Sequence, residues 1–158
     1  MAIDKDNTLQ WAGPGVPPSA SELADRYAIG QLARIYCLGV DTRNFELARS
    51  IFADECVAEG SSGLGGPIDE YLPNIIKGVS AFKVTQHNIT NQYITIDGDE
   101  ALCWNYAIAV HKVHPDADRP HFDLGVTYRD TCRRFADGWK IVHRKVVLHW
   151  NQSYPKES

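Results

Sequence analysis

Asp41 in "GVDTRN" and His87 in "TQHNITN" are the first two residues in this chain whose types could do chemistry together. His87 stands in a polar, strand-like run where an aliphatic side chain would pair better. An imidazole oriented by a carboxylate through one ring nitrogen can use the other as a general base near neutral pH. The carboxylate also stabilises the imidazolium that forms. Spacing alone leaves a plainer reading open, in which Asp41 caps a turn and His87 is a half-exposed strand residue. Tyr36 precedes Asp41 by five residues. Its phenol could donate to an oxygen that gains charge in a transition state, or could simply be a core aromatic. His111 is a candidate acid or hydrogen-bond donor, while His114 and His121 read as solvated loop residues.

Four histidines invite a metal reading, but the H-x-x-H of His111 and His114 runs from a strand end into a Pro-containing loop. It has neither the helix nor the glutamate of H-E-x-x-H, so no metal site is expected. There is no G-x-S-x-G, P-loop or G-x-G-x-x-G, and "GLGGP" lacks the strand-to-helix context and lysine of a phosphate cradle. The reading is therefore cofactor-free.

The elements that must position these groups fall into two halves. Residues 1–18 end in "WAGPGVPPSA", too rich in Pro and Gly for regular structure, and read as an arm that Trp11 could anchor. Ser19 with Glu22 forms a capping-box pattern. Leu23, Tyr27, Ile29, Leu32, Ile35 and Tyr36 then predict one apolar helix face, which Gly39 weakens and Asp41 ends. "NFELARSIF" reads as a short second helix, "EGSSGLGGP" as a loop, and "PIDEYLPNIIKGV" as a third helix kinked or started late by Pro73.

From residue 83 the hydrophobic period becomes two. "FKVTQHNIT" and "NQYITIDGDEALCWNYAIAVH" read as strands with a turn at "DGD", and a last hairpin turns at Ala136-Asp137-Gly138. Along "ALCWNYAIAVH", His111 shares a face with Asn105 and Cys103, opposite Trp104 and Tyr106. Strict alternation in the last strand puts Arg144 with Val142 and Val146, and Ile141 with His143 on the other side. Helices followed by antiparallel or mixed strands predict an α+β fold over 19–150, with a curled sheet, helices on its concave side and a short tail at 151–158. A cavity at that interface is the natural site.

The remaining bounds are set by composition. A length of 158 residues with 44% apolar content suits one domain with a real core. A net charge of −4 and a pI near 5.8 disfavour nucleic acid. No apolar run reaches membrane-span length and the N-terminus does not read as a secretory signal, so the expected compartment is the cytoplasm, without membrane attachment. Four widely spaced cysteines read as buried, reduced thiols.

Three segments taken together, "DRYAIGQLARIYCLGVDTRNFELARSIFADE", "TQHNITNQYITIDGDEA" and "DGWKIVHR", resemble the SnoaL-like branch of the nuclear transport factor 2-like superfamily. The resemblance spans roughly residues 20–150 and takes in dehydratases and a dehydrochlorinase. It implies a cone-shaped α+β barrel with a deep pocket, often a homotrimer. It also implies an Asp closing the first helix paired with a His on the sheet, positions that Asp41 and His87 match. Tyr36 matches the helix tyrosine of a bile-acid dehydratase, His111 falls near a second histidine of scytalone dehydratase, and Arg144 matches an arginine of the last strand. Tyr128, Arg144, Trp104 and Asn105 are the expected substrate contacts.

The function so implied is a cofactor-independent lyase acting on a small aromatic or polycyclic hydroxylated substrate. His87 would be the base, Asp41 its orienter, Tyr36 the oxyanion donor, and His111 or a water the proton source for the leaving group. The same constellation suits a retro-aldol cleavage, an isomerisation or a dehydrohalogenation. A non-catalytic ligand carrier and a dioxygenase small-subunit-like structural protein are the alternatives from other classes.

Overall fold

The structure is a computed structural model that describes residues 18–61 and 63–156. The expected arm with Trp11 lies outside the described residues apart from Pro18.

Helix α1 spans Ala20–Asp41. Ser19 caps it, its Oγ accepting from the Glu22 N–H at 3.2 Å. Only half of the capping box forms, because the Glu22 carboxylate turns to Arg26 at 2.7 and 2.9 Å. The buried stripe is Ile29, Leu32, Ala33, Tyr36, Cys37 and Val40. Leu23 and Tyr27 were expected on that face but are exposed. Tyr27 lies nine residues from Tyr36, about two and a half helical turns, which puts it on the opposite side. Asp25 takes the inward position instead and binds Arg134 and the Trp139 indole N–H.

Helix α2 is Phe45–Arg49 and α3 is Ile68–Ser80. Pro73 sits inside α3, which begins five residues earlier rather than at the proline. Gly39 is present for packing. A Cβ there would come within 2.6 Å of the Ala48 backbone nitrogen, so glycine lets α2 lie directly on α1.

Six strands form one open, mixed sheet in the order β2-β1-β6-β5-β4-β3. They are β1 (Phe52–Glu59), β2 (Gly65–Pro67), β3 (Val84–Asp97), β4 (Glu100–Lys112), β5 (His121–Phe135) and β6 (Gly138–Tyr154). Strand β1 follows α2, where the sequence reading placed no strand, and β2 forms in the expected loop. The β1–β6 pair is parallel and all the others are antiparallel. The sheet does not close into a barrel, since β2 and β3 remain its edges. Strand β6 runs into the segment read as a tail, because Tyr154 pairs with His121 at the start of β5.

Alternation holds in β4, where Cys103, Asn105, Ala107, Ala109 and His111 are buried and Tyr106 and Ile108 are exposed. It fails in β6. Thr131 pairs with His143 but Cys132 with Ile141, so Val142 is an extra residue. The bulge turns Ile141 and Arg144 to the same inner side, against the expected opposition. All four cysteines are buried and free. No described helix is long and apolar enough to cross a membrane.

Candidate active site

Asp41 ends α1 and His87 sits near the start of β3, 46 residues later. The Asp41 carboxylate grips His87 twice. Oδ2 accepts the His87 backbone N–H at 2.7 Å, and Oδ1 lies 2.7 Å from Nδ1. An ionised carboxylate can only accept, so Nδ1 carries the proton and Nε2 holds the free lone pair. Burial alone would raise the Asp41 carboxyl. The side-chain and backbone hydrogen bonds from His87, with a smaller one from the Thr85 hydroxyl, outweigh it and hold the group below the usual carboxylate range.

His87 lines a cavity of about 560 Å³ between α1, α3 and the inner face of the sheet. Tyr36, His111 and Tyr128 line it as well, so four of the expected site residues meet there. Such a volume is of the size that holds drug-sized molecules. The His87 and His111 rings are 5.9 Å apart and nearly perpendicular. His111 is stacked on Phe122 at 4.4 Å, with Phe82 edge-on at 4.9 Å. Burial, helped by the neighbouring His87, pushes His111 down to about 4. It is therefore neutral near pH 7, and its buried Nδ1 has no hydrogen-bond partner in the protein.

The Tyr36 and Tyr128 rings meet edge-to-face at 5.7 Å. Burial raises both phenols, so each keeps its proton and can donate. The rest of the wall is mainly aliphatic and aromatic, with Arg119 at the rim. Arg119 is pinned there, donating to the Ala81 carbonyl at 2.7 Å with its guanidinium 4.3 Å over Phe82.

Three expected contacts lie elsewhere. Arg144 is behind the wall, 1% exposed, paired with buried Asp130 at 2.7 and 2.8 Å. Its guanidinium packs over Tyr36, Phe52 and Tyr128 at 4.5, 5.0 and 4.7 Å. Asn105 is buried in a polar knot with Gln92 at 2.6 Å and the Cys103 sulfur at 3.3 Å. Trp104 is on the outer face, 4.1 Å from the Arg129 guanidinium, because residues 104 and 105 point to opposite sides of the pleat.

The sequence reading missed Thr85, Phe82, Phe122 and Arg119. Thr85 had a signal, since period two places it on the face of His87. The others converge only through the α3–β3 and β4–β5 connections. The H-x-x-H pair does not converge either: His121 accepts the Val113 N–H at 3.1 Å, and His114 is exposed. No group of three His, Cys, Asp or Glu among the described residues is placed to hold a metal. A wider groove of about 990 Å³ lies between α2, α3 and the β5–β6 turn. It contains no histidine, and its Arg49 is committed to Asp54 and Asp69 at 3.0 and 2.8 Å.

Comparison with known proteins follows the same lines. No curated protein sequence matches the chain. Among solved structures, a provisionally named scytalone dehydratase from Novosphingobium aromaticivorans superimposes with a TM-score of 0.76 at 21% identity. The match covers 87% of this chain and 93% of the other. A hexachlorocyclohexane dehydrochlorinase from Novosphingobium barchaimii LL02 gives 0.72 at 18% identity, over 84% and 92% of the two chains. A provisionally named aromatic ring hydroxylase from N. aromaticivorans gives 0.72 at 22%, over 84% and 94%. At these identities the likeness is one of fold. The SnoaL-like domain profile matches residues 21–145, most of the chain, and the protein belongs to that family, within the nuclear transport factor 2-like superfamily.

Proposed function

We propose that this protein is a cofactor-independent lyase that eliminates water from a hydroxylated aromatic or polycyclic substrate. The observation that carries the reading is the two-point grip of Asp41 on His87 at the wall of a closed, mostly apolar cavity. His87 Nε2 takes a proton from a carbon next to a carbonyl or conjugating ring. The C–H electron pair becomes an enolate or extended π-system, and the Tyr36 phenol donates to the oxygen that gains charge. The electrons then return, the C–O bond to the leaving hydroxyl breaks, and water departs with one proton. Asp41 keeps the charge of the His87 imidazolium balanced meanwhile.

Neutral His111 suits a hydrogen bond to the leaving oxygen better than delivery of a stored proton. The departing proton then comes from His87 or water. The absence of any carboxylate from the lining, with Arg119 at the rim, suits a neutral or anionic substrate over a cationic one. The dehydratase and dehydrochlorinase titles of two fold neighbours support the reaction class. The printed chemistry of the second would replace the hydroxyl by a halide on the same dyad.

A homotrimer is part of the reading. Tyr106, Ile108 and Trp150 leave 39%, 41% and 44% of their surface exposed on the outer face of the sheet. The Trp150 indole lies where a Gly125 side chain would be, which flattens that face. Sedimentation equilibrium tests it, and a monomer at micromolar concentration rejects it.

The catalytic reading is tested by turnover of wild type, Asp41→Asn, His87→Gln and the double variant on candidate hydroxylated aromatics. Each single loss is expected to fall in the range of about 10²–10⁴-fold, with little further loss in the double variant. Losses that multiply would mean the two residues do not act as a unit. Tight ligand binding without turnover in any variant would favour the carrier reading.

A further inference from the structure

Arg43 stands where a glycine is usual. The N–H of Arg43 bonds the Val40 carbonyl at 3.2 Å and that of Thr42 bonds Leu38 at 3.0 Å, closing α1 in the manner of a Schellman turn. The residue after the cap must be left-handed, and Arg43 has φ 60°, the one described non-glycine residue with positive φ. Glycine would occupy that position without strain, and a long side chain does so at a cost. The side chain therefore repays attention.

Its guanidinium closes a junction of three elements. Nη1 donates to the Val40 carbonyl at the end of α1 and to the Thr85 hydroxyl on β3, both at 2.7 Å. Nη2 donates to Val79 at the end of α3 at 3.0 Å and to Phe82 at 3.3 Å. A cation thus sits at the C-terminal, electronegative ends of two helices, satisfying carbonyls that each helix leaves open. The Thr85 hydroxyl accepts from Arg43, so its own proton is free for the Asp41 carboxylate, with which it is hydrogen-bonded. The chain of contacts runs Arg43, Thr85, Asp41, His87. The other charged or titratable groups around His87 are His111 from β4 and Arg119 from the β4–β5 loop.

We propose that Arg43 is a positioning residue for the base: by locking the ends of α1 and α3 to Thr85, it fixes the Asp41 carboxylate in its ionised, two-point grip on His87. This rests on the lyase reading only for its effect on turnover. Its effect on Asp41 can be read with no substrate present.

The experiment is ¹³C titration of the Asp41 carboxyl in wild type, Arg43→Gln, Thr85→Val and Thr85→Ser. Hydrogen exchange at the His87 amide is measured beside it, with the Tyr128 amide as reference. Removing the cation or the hydroxyl takes away a group that favours the carboxylate, so Asp41 should titrate higher in Arg43→Gln and Thr85→Val. Thr85→Ser, which keeps the hydroxyl, should match wild type. The His87 amide should exchange at least about tenfold faster in Arg43→Gln, the worth of one charge-assisted hydrogen bond, while Tyr128 is unchanged. On a working substrate, kcat should fall about tenfold with KM little altered.

A folded Arg43→Gln protein with a lowered melting temperature but wild-type Asp41 titration and His87 exchange would overturn the proposal and leave Arg43 as a helix cap. Should Arg43→Gln not fold, Arg43→Lys decides. Lysine keeps the charge but cannot span both helix ends and Thr85, so an upward Asp41 shift supports the proposal and an unmoved Asp41 overturns it. Failure of the lyase reading would abolish the kinetic arm and leave the titration and exchange arms intact.

Discussion

The molecule contains two carboxylates gripped at nearly the same distances, and only one of them faces a cavity. Asp41 holds His87 at 2.7 and 2.7 Å, and Asp130 holds Arg144 at 2.7 and 2.8 Å. The second pair is sealed. Both partners are 1% exposed, three aromatic rings cover the guanidinium, and both carboxylate oxygens are spent on it. Burial alone would push the Arg144 guanidinium down, but Asp130 outweighs it and keeps the group charged. Arginine in any case does not release its proton in proteins. The first pair joins a carboxylate to a base that can gain and lose a proton, and it leaves one ring nitrogen uncommitted. Equal geometry therefore supports different work: reversible proton transfer at the cavity, and internal cohesion behind its wall.

The sharpest break in that comparison is functional. His87→Gln is expected to cost about 10²–10⁴ in turnover while the thermal melt stays near wild type. A large drop in melting temperature would make the cavity pair structural too. The next effect is the mirror image. Asp130→Ala strands a buried guanidinium and is expected to cost about 3–5 kcal/mol in urea unfolding. Replacing both members, Asp130→Leu with Arg144→Met, should recover most of that stability, because apolar substitutes avoid the desolvation penalty. A double variant no better than the single one would mean that Arg144 contributes through its aromatic neighbours instead.

A third test concerns His111, between the two pairs. Its folded value, about 4, lies below the ordinary histidine value near 6.5. The unfolded chain then binds the extra proton first as pH falls. The contribution of a neutral, stacked His111 is whole above about pH 6.5 and drains away as pH drops towards 4. His111→Phe should flatten this part of the stability–pH curve, so its stability relative to wild type should improve between pH 7 and pH 4.5. A pH-independent difference would refute the assignment. The smallest effect serves as a control far from both pairs: Ser19→Ala should lose about 1 kcal/mol with turnover unchanged.

Much of this could be read from residue types and periods. Period two in β4 put His111 and Asn105 together and Trp104 opposite, as found, because β4 pairs without a bulge against β5. The same rule misassigned β6, since one inserted residue at Val142 inverts every later position and leaves no local mark in the sequence. Strand β1 was invisible because "FADECVAE" fills its inner positions with Cys56 and Ala58, small residues with little strand signature. Arg144 was expected in the pocket because sequence offers no means of separating a wall from what lies behind it. The meeting of Asp41 and His87 drew on the family resemblance, as did that of Tyr36 with them. Arg43 gave no signal at all, its importance depending on where α3 ends.

The parallel pairing of β1 with β6 sets the order in which the chain can mature. Phe52 pairs with Ile141 and Ala58 with Arg144, partners more than eighty residues apart. The antiparallel hairpins of β3, β4 and β5 close locally and early, but β1 waits for the last strand to be made. The residues of the dyad are long since translated by then, while the sealed ion pair that backs Tyr36 and Tyr128 is still missing one partner. A ribosome-bound chain halted before residue 144 would carry its base on an unfinished wall, and its apolar interior would be open to chaperones or to neighbouring chains.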